Sequence, residues 1–203
     1  MKPIRMAVAI GAMLAAGVAG AADSSAARAA AALIKSDFKS VGPATVERVT
    51  QQDEVQQLCS APTAPSKAKA KAVEASQLKQ VKYPADGNYL GDWKAGEKIA
   101  QNGKGMQSSD KVGEANGGNC YACHQVTKEE ISFGNIGPSL YQYGKLRGNS
   151  EAVVKYTWAK LYNAQAFQAC SKMPRFGHNG ILTEQQIKDV MALLLDPASP
   201  VNK

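Results

Sequence analysis

Apolar and polar positions along the chain fall into helical periods, and no stretch shows the sustained alternation that a half-buried strand requires. The last segment is the clearest. Thr183 and Gln186 stand three apart, the spacing of a capping box. Ile187, Val190, Met191 and Leu194 follow as an apolar stripe, which Pro197 ends. Earlier, Ser150 is placed to cap a helix on which Val154, Trp158 and Leu161 share one face. Asp92 is a further N-cap, for a helix through Trp93, Ile99 and Ala100. Between these helices lie a glycine-rich loop (Gly103, Gly105, Gly113, Gly117, Gly118) and an irregular segment with Gly134, Gly137 and Pro138. The pattern predicts a small all-α domain with long loops over residues 89–203.

Residues 23–88 read differently. Ala26–Ile34, Val46–Leu58 and Lys67–Lys82 have helical composition, and the two prolines of Ala61–Ser66 break the run. Phe38 is the one aromatic residue ahead of Tyr83. Such a segment cannot fill a core alone. It is expected to be a helical N-terminal extension that packs on the main domain or on a partner.

The start of the chain has the pattern of an export leader. Lys2 and Arg5 precede the apolar run Met6–Val18, and small residues follow at Ala19–Ala22. This order describes a cleaved signal over residues 1–22, cut after Ala21 or Ala22. The run falls short of the roughly 20 apolar residues of a membrane span. No other segment qualifies, so the mature chain is expected in the periplasm with no membrane span.

Composition sharpens this picture in three ways. The 203 residues leave room for one domain with an extension, and much of the 44% hydrophobic content is alanine that adds little to a core. Loss of the leader lowers the net charge from +7 to +5, a basic balance that suits an acidic partner. No helix-turn-helix, zinc finger or aromatic-basic pattern accompanies that charge, so nucleic acid is not an expected partner. Free thiols are unusual in an oxidising compartment. Of the four cysteines, Cys59 and Cys170 are left as a candidate disulfide once the motif around Cys120 is set apart.

That motif is Cys120-Tyr-Ala-Cys-His124. Two thiols three positions apart can each form a thioether with one of the two vinyl groups of a haem, and the adjoining histidine then lies under the iron. The spacing is the mark of c-type haem attachment. It occurs once, which predicts one covalently bound haem c. A thioredoxin-like pair would need a βαβ setting, which is absent. A structural zinc site would need four N or S ligands, and Cys59, Cys170 and His178 are scattered.

A sixth iron ligand must come from the far face of the haem. The candidates are Met106, Met173, Met191 and His178. Met191 lies on the apolar stripe of the last helix and reads as core, and Met106 falls close before the motif. Met173 stands in a loop stiffened by Pro174 just ahead of the terminal helix, which suits a thioether ligand. His178 would instead give a bis-histidine haem, and a methionine ligand raises the reduction potential relative to a second histidine. A ligating imidazole is oriented by a bond from its other ring nitrogen, and the Gly137-Pro138 pair could supply the accepting carbonyl.

The order helix, Cys-x-x-Cys-His, Gly-Pro, helix, Met-Pro, terminal helix resembles the class I cytochromes c. More narrowly, the chain resembles the SoxX family. The resemblance is carried by Asn119–His124, Ile136-Gly-Pro-Ser-Leu140 with Tyr143-Gly144, Met173-Pro-Arg-Phe-Gly177, Leu182-Thr-Glu-Gln185, Leu193-Leu-Leu-Asp-Pro197 and Ser199-Pro-Val201. It runs from about Tyr89 to Val201. It implies haem held by Cys120 and Cys123, with His124 and Met173 as axial ligands. It implies a heterodimer with a SoxA-like cytochrome subunit that joins thiosulfate oxidatively to the cysteine of a SoxYZ-like carrier. Substrate chemistry would take place on the partner. This chain would accept electrons and pass them to a small electron-acceptor cytochrome, as the electron-transfer subunit of an L-cysteine S-thiosulfotransferase. No catalytic nucleophile is expected in this chain. The alternative is a free periplasmic shuttle cytochrome without a catalytic partner.

Overall fold

A computed structural model describes the backbone of residues 19–203 and the side chains of residues 25–203. The apolar run of the expected leader lies outside the described residues. The chain divides into two units, with the boundary after Lys39. The first carries α1 (Ala19–Asp37), rich in alanine. The second carries α2 (Glu47–Thr50), α3 (Glu54–Ser60), α4 (Lys67–Lys79), α5 (Trp93–Gln101), α6 (Tyr143–Arg147), α7 (Glu151–Tyr162) and α8 (Glu184–Leu195), with three short 3-10 turns. Among the described residues the sole β feature is an isolated bridge between Val41 and Ala44.

The expected caps are in place. Asp92, Ser150 and Thr183 each accept a backbone N–H of their own helix, and Gln186 completes the capping box by accepting the N–H of Thr183. The expected single helix Val46–Leu58 is instead two. Asp53 accepts from Gln56 N and the Gln56 side chain accepts from Asp53 N, so a second capping box starts a new helix where composition predicts continuity.

The core of residues 40–203 forms where α5 crosses α8, the most closely packed pair of helices. Their approach is so close that a Cβ on Gly96 would stand 2.1 Å from the Asp189 carbonyl oxygen. Only hydrogen fits there. Asp189 also accepts the N–H of Asp92 at 3.0 Å, pinning the start of α5 to α8. Trp158, Ile187, Met191 and Leu193 are the largest fully buried side chains of this region. The chain end is tied in as well: Ser199 Oγ donates to Leu193 O and Asn202 Nδ2 to Leu194 O, which satisfies carbonyls at the end of α8.

From residue 40 onward the segment ahead of α5 packs on the helical domain. Trp158 Nε1 donates to Lys82 O at 2.8 Å, and Val81 joins the main core. Val55 and Val73 form a smaller buried cluster with Ala169. Cys59 and Cys170 are joined in a disulfide across 111 residues of sequence. Closing a loop of that length stabilises the fold by about 4–5 kcal/mol in chain-entropy terms.

Asp53 also pairs with Arg175, Oδ2 to Nη2 at 2.5 Å. Partial burial opposes ionisation of Asp53, but the Gln56 N–H and the Arg175 guanidinium prevail and hold its carboxyl below the ordinary 3.8. A carboxyl depressed in the folded state contributes stability above its unfolded value and loses it as pH falls through its folded value. The stability difference between wild type and Asp53→Asn is therefore expected to be full at about pH 6 and to shrink below about pH 4. Denaturant unfolding across that range checks this.

Candidate functional site

The Cys120–His124 motif is shaped by the loop that leads into it. Gly118 N donates to Ile99 O and Asn119 N to Asn102 O, which extends the end of α5 into the loop. Asn119 then takes the left-handed conformation at φ 47°, open to Asn more readily than to most residues. It starts a 3-10 turn, Cys120–Ala122, in which Cys123 N and His124 N both donate to Cys120 O, at 3.1 and 2.9 Å. The two thiols and the imidazole are thereby set on one turn.

His124 is oriented from the opposite side by the Gly137-Pro138 segment. Its Nδ1 lies 2.6 Å from Pro138 O. A carbonyl can only accept, so Nδ1 carries the proton and Nε2 presents its lone pair for a metal. Gly137 lies flat against the ring, where a Cβ would stand 2.1 Å from Cε1. Gly137 N in turn donates to Cys123 O at 2.8 Å, closing the segment onto the motif.

Cys120, Cys123, His124 and Met173 all line one cavity of about 500 Å3, whose walls include Leu161, Phe176, Val190 and Leu193. Met173 arrives on the segment after α7. Its N–H donates to Ser171 Oγ, and Pro174 limits the backbone beyond it. The other sixth-ligand candidates lie elsewhere. Met191 is fully buried in the core, Met106 lines a small separate cavity with Pro43 and Asp110, and His178 is half-buried outside the haem-sized cavity. Burial lowers the His178 imidazole below its ordinary value, and the nearby Arg175 adds to the effect.

The lining residues fit haem by chemistry as well as by size. Burial pushes the Cys120 thiol up to about 12, so it is uncharged in this apolar wall. Among the described residues Arg147, Lys160 and Lys172 line the cavity, and no Asp or Glu does. Burial lowers the Lys160 ammonium, against a smaller opposing pull from Glu74, and its contacts include Ala164 O at 3.5 Å and the Phe167 ring. A flat apolar group with two carboxylates would be welcomed by such a lining, which supplies cations for the carboxylates and has His124 and Met173 available to ligate iron. Sequence reading misses the three cations. Their signal is weak: Lys160 follows Tyr156 and Thr157 by one turn, and only the packing of α7 shows that this face borders the cavity.

Because a methyl group at Gly137 would meet the His124 ring, Gly137→Ala is expected to tilt the imidazole and weaken its bond to Pro138 O. The holoprotein should keep its haem but show a lower reduction potential and altered imidazole signals in NMR. Pro138→Ala leaves the carbonyl in place and should perturb both less.

Comparison with known proteins gives the family. The cytochrome c family profile matches residues 94–196. An uncharacterized lipoprotein of Aquifex aeolicus (strain VF5) is 41% identical over 155 residues, spanning 75% of this chain and 73% of that protein. With the matched stretch running from α5 through α8, the chain belongs to the cytochrome c family, has the all-α fold of its class I members, and by that membership carries covalently bound haem c.

Proposed function

We propose that this chain is an exported monohaem cytochrome that works as the SoxX-like, electron-accepting subunit of a heterodimer. The observation that carries the electron-transfer reading is the one cavity that gathers two thiols, a tautomer-fixed imidazole and a thioether, with no carboxylate among the described residues that line it. When bound, haem supplies a one-electron iron couple. Cys120 and Cys123 hold it in place. His124, through Nε2, and Met173, through its sulfur, would ligate the iron. The apolar walls would exclude water from the bound group and favour its less charged, reduced state. Arg147, Lys160 and Lys172 balance the carboxylates.

The narrower reading is supported by the Met173–Gly177 loop and the Leu193–Pro197 and Ser199–Val201 tail. In the proposed reaction, a carrier thiol and thiosulfate form a new S–S bond, releasing one proton and two electrons. Bond formation belongs to a SoxA-like partner, and electrons leave through this chain one at a time to a small acceptor cytochrome. Export is supported by the basic-then-apolar start of the sequence and by the description of the Aquifex relative as a lipoprotein. Among the described residues no helix is long and apolar enough to cross a membrane.

Haem is expected to stay with the polypeptide through acid-acetone extraction, at one per chain, and its loss would refute covalent attachment. Met173→Ala should remove the weak far-red absorption of a sulfur–iron(III) bond and lower the reduction potential. If Met106→Ala removes the band instead, the ligand is Met106.

The isolated chain is expected to exchange one electron but not to modify a carrier cysteine. Mixing it with a SoxA-like partner, carrier and thiosulfate should add the thiosulfate mass to the carrier's cysteine peptide. A partner that works at full rate without this chain, given another electron acceptor, would favour the free-shuttle reading.

A further inference from the structure

The Met173 side chain packs against the main core, but the backbone that carries it has few hydrogen bonds to the domain. The Met173 N–H is held by Ser171 within the same turn. Among the described residues, no backbone hydrogen bond joins residues 171–174 to a helix of the domain. What flanks the stretch is different. Cys170, three residues before Met173, is bonded to Cys59 at the end of α3. Arg175, two residues after it, is buried and pairs with Asp53 at the start of the same helix, at 2.5 Å. Helix α4 adds two more ties: Glu74 Oε1 accepts the N–H of Ala169 at 3.1 Å, and Gln77 Oε1 accepts Asn163 Nδ2 at 2.9 Å. Val55, Val73 and Ala169 close an apolar cluster between them. All of these holds come from residues 53–77, which precede the stretch matched by the cytochrome c family.

We infer that residues 53–77 form a clamp on the iron site, with Arg175 and Asp53 as positioning residues that keep the Met173 sulfur pressed toward the iron. The inference rests on Met173 being the sixth ligand, as proposed above. A thioether is a soft donor and a poor match for iron(III), so the oxidised state depends most on mechanical support. Support from both sides of Met173 supplies it. The Asp53–Arg175 pair is the polar half of the clamp. Arg175 Nη1 is buried with no partner among the described residues. Removing Asp53 would therefore strip its ion-pair partner from a guanidinium already under-satisfied, a costly state that the segment would relieve by moving. The disulfide is the covalent half and limits that movement at Cys170.

The test uses purified oxidised holoprotein as wild type, Asp53→Asn, Arg175→Gln, Arg175→Lys and the double variant Cys59→Ser/Cys170→Ser. Asparagine retains the capping role at position 53, so Asp53→Asn isolates the ion pair. Three quantities are read: the sulfur–iron(III) band, the reduction potential, and the rate at which added imidazole replaces the sixth ligand of ferric iron. Asp53→Asn and Arg175→Gln are expected to speed imidazole entry by about tenfold or more, the factor for losing one hydrogen bond between charged groups. The band should weaken and the potential fall, with Arg175→Lys closer to wild type. The disulfide variant should move all three in the same direction even where an Arg175 variant fails to fold. If Asp53→Asn and the disulfide variant lower the unfolding midpoint but leave the band, the potential and the imidazole rate at wild-type values, the clamp is only structural and the inference is overturned. Absence of the band from wild type itself would overturn the ligand assignment, and this inference with it.

Discussion

One hydrogen bond settles what the motif can do. The Nδ1–H of His124 donated to Pro138 O fixes the tautomer, and with it the nitrogen left for iron. Everything near it serves that geometry. The left-handed Asn119 turns the chain into the motif, Gly137 leaves room for the ring, and Gly137 N closes back on Cys123 O. A side chain on Gly137 would displace the imidazole before it disturbed the helices. Glycine stands at this point of the loop for that reason, and not because loops in general are permissive.

The two walls of the cavity are built by different means. The His124 wall is local: between Asn119 and Pro138 the backbone bonds to itself and to the end of α5. The Met173 wall rests on the main core and on Tyr162 O, which accepts the N–H groups of Gly177 and His178, and it is tied from a distance by α3 and α4 through an ion pair, a disulfide and side-chain hydrogen bonds. Between them the α5–α8 crossing at Gly96 acts as the fixed frame, since an approach that close admits little sliding. Segments early and late in sequence thus meet at one cofactor. Residues 53–77 are aromatic-free and poor in large apolar side chains, yet two valines suffice there because covalent and ionic ties add to their burial.

The polar residues of the cavity reflect a balance between burial and charge. Lys160 is partly desolvated, which lowers its affinity for a proton, and an anionic group beside it would restore that affinity. Among the described residues the lining holds three cations and no carboxylate, with Glu74 near Lys160. Such a lining favours a cofactor that brings its own negative charge.

Much of the site is legible from local order in the sequence. Cys120, Cys123 and His124 are chemically linked by spacing on one turn, and the caps at Asp92, Ser150 and Thr183 mark helices through side-chain bonds reaching two or three residues. The Gly137-Pro138 pair is legible for a similar reason, since a ligating imidazole needs a second bond. The helix break at Asp53 is not, because Asp53 and Gln56 sit in a run whose composition favours continuity and only their reciprocal bonds interrupt it. The three cations of the cavity and the buried Arg175 paired with Asp53 across 122 positions belong to the tertiary structure, and so does the lining that places Met173, the residue the loop sequence already favours, in the cavity beside Cys120, Cys123 and His124. The physical reason is range: periodicity and spacing record what a residue does to neighbours within a turn or two, whereas a ligand wall is assembled by packing between segments that the sequence keeps far apart.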